Sequence, residues 1–545
     1  MQESPIPRPL IPIHVARGET LKNLTLTPPL TFKMVSLNCI WASMDVLRYN
    51  ESDHNPIPFR ITDRMALKIY NVLGREKVEF QPQHEGHVNM YVCGPTVQDY
   101  AHIGHAKTYI AFDVIVRYLR YSGLSVLYVQ NITDVGHLLD SGEDRILKKA
   151  AQLQAKPMQI VEFYARSYFE DMDSLGIKRP DISPRASGHI PEQIKMIETL
   201  MERGHAYLAD GSVYFDVASA PNYGKLSNRR ITELEAGSRE VVRDEKRNPE
   251  DFALWKKAEP EHILRWDSPW GEGFPGWHIE CSAMAKKYLG ETFDLHGGGV
   301  DNIFPHNECE IAQSECANDA EFARYWMLVG SLTVDGVKMS KSLGNFITIK
   351  DALKKYRPEV IRTFSLSAHY SNPVDFSDDA LQAAAVGWER LYGAVRLARQ
   401  MLPSAPATDA GSDFLPRLEQ ARTDFRAVMD DDFNTPKAIA QLQELTREVN
   451  TLLNSGSPVG KAALEAIIAT YNELGGDVLG IIPAAEAGGG ANAEREAGLI
   501  KLIVEARQAA RKAKNWAESD RLRDALAALD VIVEDRADGT VWRVN

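Results

Sequence analysis

Residues 88–93 read VNMYVC, a short buried-strand pattern that Gly94 and Pro95 end. Residues 106–121 (AKTYIAFDVIVRYLRY) carry apolar side chains at helical spacing, and Ser122-Gly123 supplies a C-terminal stop. Residues 126–129 (VLYV) read as a second strand. Strand, helix and strand in that order form a βαβ unit, which implies a parallel sheet with a right-handed crossover. From 251 to 350 strand and helix signals alternate again, and Asp335-Gly336 between SLTV and VKM marks a hairpin turn. The second half of a nucleotide-binding α/β fold is expected there.

The rest of the chain divides around this core. Residues 1–64 are rich in Pro and lack clean periodicity, and regularity begins at Met65-Ala66-Leu67-Lys68. That segment is expected to be an extension, disordered or upstream of the functional start, with an ordered arm as the alternative. Residues 145–200 look mainly helical, and 211–250 hold one strand, SVYFDV, followed by a charged loop. PSAPATDAGS at 403–412 and PAAEAGGGANA at 483–493 read as linkers, with helical periodicity over 413–482 between them. The tail gives a helical segment and then VIVEDRADGTVWRV, a strand–turn–strand unit turning at Asp538-Gly539.

With 545 residues, 44% apolar and 25% charged, the chain suits several domains. A net charge of −13 excludes a uniformly basic nucleic-acid protein but leaves room for a local basic face. The five cysteines, Cys39, Cys93, Cys281, Cys309 and Cys316, are odd in number and widely spread. That argues against a disulfide framework and for metal ligation or a reduced interior. No apolar run is long enough to span a membrane and no signal-peptide pattern opens the chain, so a cytoplasmic enzyme is expected.

Two short motifs carry chemistry. His102-Ile103-Gly104-His105 follows the first strand and opens the next helix, where free backbone N–H groups and the helix dipole favour phosphate. Gly104 admits a planar group close to the backbone, and the two histidines can donate to phosphate oxygens as charge develops. Lys338-Met339-Ser340-Lys341-Ser342 lies on a loop after the hairpin, and its two lysines suit a mobile clamp on polyphosphate. Each motif alone could be an incidental loop. Together, in this order and spacing, they resemble the HIGH and KMSKS motifs of class I aminoacyl-tRNA synthetases. The resemblance implies a Rossmann-type catalytic sheet, with the first motif on ATP and the second on its phosphates. No Walker-type P-loop occurs.

A third constellation concerns a metal. Cys93 ends the first strand, Cys281 lies in GWHIECSAM, and FPHNECEIAQS at 304–314 holds His306 and Glu310 four residues apart, one face of a helix. All three segments should converge at the carboxyl edge of the parallel sheet. Two thiolates, an imidazole and a carboxylate make a zinc set, and the carboxylate leans toward a working rather than a structural metal.

From about residue 65 to the C-terminus the chain resembles the cysteinyl-tRNA synthetase family, through YVCGPTVQDYAHIGHAKTYIAFDVIVRYL, NITDV, GWHIECSAM, HGGGVDNIFPH and EIAQSE. The resemblance implies ATP-driven (Mg2+-bound) activation of L-cysteine and its transfer to the 2′-hydroxyl at the 3′ end of tRNA(Cys). It implies one Zn2+ on Cys93, Cys281, His306 and Glu310 that selects the substrate thiolate. Pocket shape alone separates near-isosteres such as serine by only about 10²-fold, whereas a soft thiolate bonds zinc as a hydroxyl cannot. It also implies ATP binding through His102, Gly104, His105, Asp301 and Lys341. Charge stabilisation is implied for His102, His105, Lys338 and Lys341, and amino-acid contacts for Thr133, Trp277 and His296. The family's second histidine and its asparagine are replaced here by Asn307 and Cys309. Cys309 is expected to be a buried bystander, though as a ligand it would displace Glu310.

The implied domains are a catalytic domain over 65–350 with a connective region inserted at about 145–250, a stem-contact helical region over 351–402, an anticodon-binding bundle over 413–482 and a small mixed α/β unit over 494–545. In the last, Lys501, Arg507, Arg511, Lys512, Lys514, Arg521 and Arg523 outnumber the acids, and Trp516 could stack on a splayed base. A monomer is expected, since no coiled-coil repeat argues for a dimer. The main alternative is a zinc-dependent, ATP-driven cysteine ligase acting on an amino-sugar, which should lack a tRNA-binding end. A zinc hydrolase would leave KMSKS unexplained and finds no H-E-x-x-H motif.

Overall fold

Four parallel strands form the central sheet, in the order Ala323–Val329, Phe293–Gly299, His87–Val92 and Ser125–Gln130. The computed structural model describes residues 66–136, 144–229, 245–259, 262–340, 343–484, 491–536 and 539–544. The expectations for residues 1–64, Lys341 and Asp538 lie outside these. The two middle strands are buried on both faces along most of their length, as in a covered parallel sheet. Ile103–Tyr121 is the crossover helix, and it stops at Ser122 with Gly123 at φ +82°. It starts three residues before the apolar periodicity does, because His102 caps it. Phe112 presses on the neighbouring strand so closely that a Cβ at Gly297 would lie 2.5 Å from its ring.

The connective region contains three helices, Arg145–Gln152, Pro157–Ser174 and Ile190–Glu202. Beside them lies a four-stranded antiparallel sheet of Ala206–Ala209, Ser212–Phe215, Phe252–Lys257 and Gly273–Pro275. Only its second strand was legible as SVYFDV. The sheet runs past the boundary expected near 250, because its last strand leads straight into the helix Trp277–Leu289.

The hairpin Leu332–Val334/Val337–Lys338 turns at Asp335 (φ +49°) and Gly336 (φ +74°), as Asp-Gly demands, and its first strand pairs parallel with Val374–Phe376. Helices Leu415–Met429, Thr435–Leu453 and Lys461–Tyr471 form the bundle. The 24-residue helix Asp378–Met401 packs against the second and third of these and buries Leu381, Trp388, Leu391, Ala394, Val395 and Ala398, so the packing crosses the boundary expected at 402–413. The last unit, Ala491–Lys512, Trp516–Ala527 and an antiparallel Val531–Arg536/Gly539–Val544 pair, has its own small core of Ile500, Val504, Leu526 and Val531. Among the described residues no helix is long and apolar enough to cross a membrane.

Candidate active site and metal centre

The carboxyl ends of the parallel strands open into a cavity of about 930 Å³ lined by Cys93, His102, His105, Thr133, Trp277, Cys281, Asp301, His306 and Lys338, among others. Residues from six segments far apart in sequence meet here, at the place where open α/β sheets bind ligands.

His102 is the N-cap of the crossover helix: its Nδ1 accepts from the Gly104 N–H at 3.1 Å, while His105 Nδ1 accepts from the His102 N–H at 3.2 Å. This reciprocal cap requires an unprotonated Nδ1 on each ring, so the neutral imidazoles carry their protons on Nε2. Burial, reinforced by the neighbouring His102, holds the His105 pKa well below the ordinary imidazole value. The rings stack 3.8 Å apart. A Cβ at Gly104 would lie 2.9 Å from the His102 ring folded over it, so the cap itself requires glycine there.

Lys338 reaches the cavity from the hairpin, with Nζ 3.8 Å from Asp301 Oδ1 and its side chain largely exposed, as a mobile cation should be. Asn345 closes the loop behind it, accepting from the Ser340 N–H at 2.8 Å and donating to the Lys338 carbonyl at 3.3 Å. Thr133 sits on the opposite wall, its hydroxyl accepting from Asn131 Nδ2 at 3.0 Å, and Asn131 Oδ1 accepts from the Gly94 N–H at 2.8 Å. Asn131 was missed from sequence, although it opens the NITDV segment that was singled out.

Cys93, Cys281, His306 and Glu310 each offer one donor atom, and these lie within 4.8 Å of one another, all buried. His306 and Glu310 were expected on one face of one helix, and they lie on two consecutive helical elements instead. Helix proper begins at Glu308, preceded by a wider turn over Ile303–Asn307 that carries His306. The four-residue spacing still brings His306 Nε2 to 2.9 Å from Glu310 Oε1. Burial opposes ionisation of Glu310, but His306 and His296 outweigh it and hold the carboxyl well below its usual range. The shared hydrogen bond with Cys93, then burial and the Glu310 charge, push the Cys281 thiol well up. Two thiols kept protonated beside an ionised carboxylate are a set that a divalent cation fits, since binding would let the thiols ionise. Trp277 stacks on His306 at 4.4 Å, and Tyr91, another residue missed from sequence, is buried against the two thiols.

Two assignments change. His296 is fully buried and does not line the cavity. It stacks on Trp326 at 4.1 Å, and its Nε2 stands 2.8 Å from Glu310 Oε2, behind the four-donor cluster. In the last unit, Arg507 is buried and bidentate to Asp535 (2.8 Å for each bond), and Arg511 also pairs with Asp535, so these two basic residues hold a strand rather than face a partner. Cys309 is the expected bystander, packed in the connective-region core with its sulfur 3.5 Å from the Tyr223 hydroxyl.

A Rossmann-type parallel sheet with histidines at the first helix start and a lysine hairpin facing them defines a class I aminoacyl-tRNA synthetase. Residues 79–386 match the family model for the tRNA synthetases class I (C) catalytic domain, 424–483 the DALR domain and 502–543 the cysteinyl-tRNA ligase anticodon binding domain. A cysteine–tRNA ligase of Deinococcus radiodurans is 52% identical over 486 residues, 88% of this chain and 96% of that protein. One from Chlorobium chlorochromatii is 50% identical over 490 residues, covering 88% and 100%. The chain belongs to the cysteine–tRNA ligase family. The anticodon-domain match at the C-terminus counts against the amino-sugar ligase. A methionyl-tRNA synthetase of Mycobacterium tuberculosis, solved with methionyl-adenylate, shares the fold at 15% identity (TM-score 0.51, over 72% of this chain and 89% of that one).

Proposed function

We propose that this chain activates L-cysteine with Mg2+-bound ATP and esterifies the cysteinyl group to the 3′-terminal adenosine of tRNA(Cys). The observation that carries this reading is the four-donor cluster opening on the same cavity as the two capping histidines and Lys338. Cys93, Cys281, His306 and Glu310 would hold zinc, which when bound supplies a partner for the substrate thiolate that a serine hydroxyl cannot match.

Trp277 packs beside the substrate, and Thr133 offers its hydroxyl from the facing wall. The Nε2–H groups of His102 and His105 donate to ATP phosphate oxygens, while Gly104 lets the ring of His102 fold inward over the helix start. Asp301 holds the ribose side. Lys338 and Lys341 neutralise the departing pyrophosphate. Catalysis is then positioning plus preorganised charge, without a general base. His296 steadies Glu310 instead of touching cysteine. The helical bundle and the C-terminal unit bind the tRNA. We place the enzyme in the cytoplasm as a monomer.

Amino-acid-dependent ATP–pyrophosphate exchange across all standard amino acids tests this. Exchange with cysteine alone is expected. Absence of exchange from zinc-replete protein would sink adenylation, and comparable exchange with serine would sink the zinc account of selectivity.

A further inference from the structure

The two oxygens of Glu310 face different company. Oε1 stands 2.9 Å from His306 Nε2 and accepts from Cys93 Sγ at 3.6 Å, so it points at the other donors. Oε2 points away from them: it accepts from Asn307 Nδ2 at 3.1 Å and lies 2.8 Å from His296 Nε2. The same Asn307 amide nitrogen also reaches Cys93 Sγ at 3.8 Å. Both neighbours of this nitrogen are acceptors, which fixes the amide orientation: the reverse would set Oδ1 against a carboxylate and a sulfur. Asn307 is fully buried, and its Oδ1 finds no hydrogen-bond partner among the described residues. An orphaned buried acceptor is costly, so the N–H groups are what the position provides.

The charge count says why they matter. Two thiolates and a carboxylate around a dication leave a net −1 in a site with no exposed ligand. A substrate thiolate would add another negative charge. Neutral N–H donors spread that charge without adding a titrating group.

We propose that Asn307 is a positioning residue of the metal centre, holding Glu310 to a single ligand oxygen and drawing charge from the Cys93 sulfur. This rests on the zinc reading above. Without the amide, Oε2 keeps the His296 contact alone and the Cys93 sulfur loses its donor, which loosens a site built to accept one more thiolate.

The test uses full-length protein and the metals alone, with neither cysteine nor ATP. Zinc affinity is measured against a chelating dye, and the thiolate-to-metal charge-transfer band is recorded on the cobalt(II)-substituted protein. Asn307→Leu should weaken zinc binding by about tenfold to a hundredfold and shift the cobalt band. Asn307→Asp, which keeps the shape but replaces both donors with charge, should weaken it further. Asn307→His returns a ring N–H and should restore binding to near wild type. Equal unfolding temperatures of the metal-free variants separate this from a folding defect, and if the leucine variant does not fold the aspartate variant decides. Leucine and aspartate variants that hold zinc as wild type does, with an unmoved band, overturn the proposal alone. A wild-type chain that does not bind zinc overturns the zinc reading and the proposal with it.

Discussion

The ring of His102 both caps a helix and faces the cavity, and a substitution can separate the two. Asparagine is a strong N-cap but lacks the ring's far N–H. His102→Asn should therefore lower the exchange rate by about 10²–10³-fold while thermal unfolding stays near wild type. His102→Ala should lose comparable activity and also about 1 kcal/mol of stability. Equal unfolding temperatures for the two variants would show that the cap contributes nothing. At this scale the meeting of Cys93, Cys281, His306 and Glu310 was legible, because a strand end, a helix at the sheet's carboxyl edge and the four-residue spacing fix where their donors go. His296 was not. Its sequence position in HGGG gives no sign that Trp326, 30 residues later on the adjacent strand, would stack on it and keep it behind Glu310. Arg507 misled for the same reason: only the fold reveals Asp535 beside it.

At the scale of elements, two buried cations tie the crossover helix to its surroundings. Lys107, 2% exposed, donates to the carbonyls of Gly330 (2.5 Å) and Asn372 (2.9 Å), and with Tyr370 (3.4 Å) these form the base from which the lysine hairpin springs. Burial brings its pKa down to about 8. The unfolded chain then binds more protons than the native one between that value and the ordinary lysine pKa, so this residue makes stability rise with pH across that window. Urea unfolding at pH 7.5 and pH 10 should show wild type gaining roughly 1–3 kcal/mol relative to Lys107→Met; no change in their difference would refute the assignment. Arg362, 1% exposed, pairs with Asp113 at 2.7 Å and donates to the Leu479 carbonyl at 2.8 Å, joining the catalytic helix to the end of the bundle. Arg362→Ala leaves a buried carboxylate partly uncompensated and should cost about 3–5 kcal/mol, read by denaturant unfolding. The βαβ unit and the Asp-Gly hairpin were legible because their signals are local. The antiparallel connective sheet was not, since its strands are three to six residues long and pair across intervening loops. The joining of Asp378–Met401 to the bundle was likewise hidden, because a linker composition at 403–412 says nothing about which helices pack across it.

Over the whole molecule, the cavity and the unit that matches the anticodon-binding model have separate cores. The last unit packs around Ile500, Val504, Leu526 and Val531, apart from the main core, and Arg543 meets Glu389 of the long helix at 3.1 Å. With Arg507 and Arg511 committed to Asp535, the basic residues left on the surface of this unit are Lys501, Lys512, Lys514, Arg521 and Arg523, with Trp516 exposed at the start of its helix. None of these residues lines the cavity, and the capping histidines draw their geometry from the catalytic helix and from the 346–348 segment beside it. Ending the chain after Ala484 should therefore leave cysteine-dependent pyrophosphate exchange within about twofold of wild type. Charging of tRNA should suffer instead. One stacked base is worth about 1–3 kcal/mol, so kcat/KM for tRNA should fall by about tenfold or more. The salt dependence of tRNA binding should also flatten, because each lysine removed from a phosphate lowers the slope by nearly one. Trp516→Ala in the full chain should reproduce part of the affinity loss without changing the salt slope. A truncated chain that charges tRNA normally would mean that the acidic body reads its tRNA through the bundle alone and that the C-terminal unit serves another end.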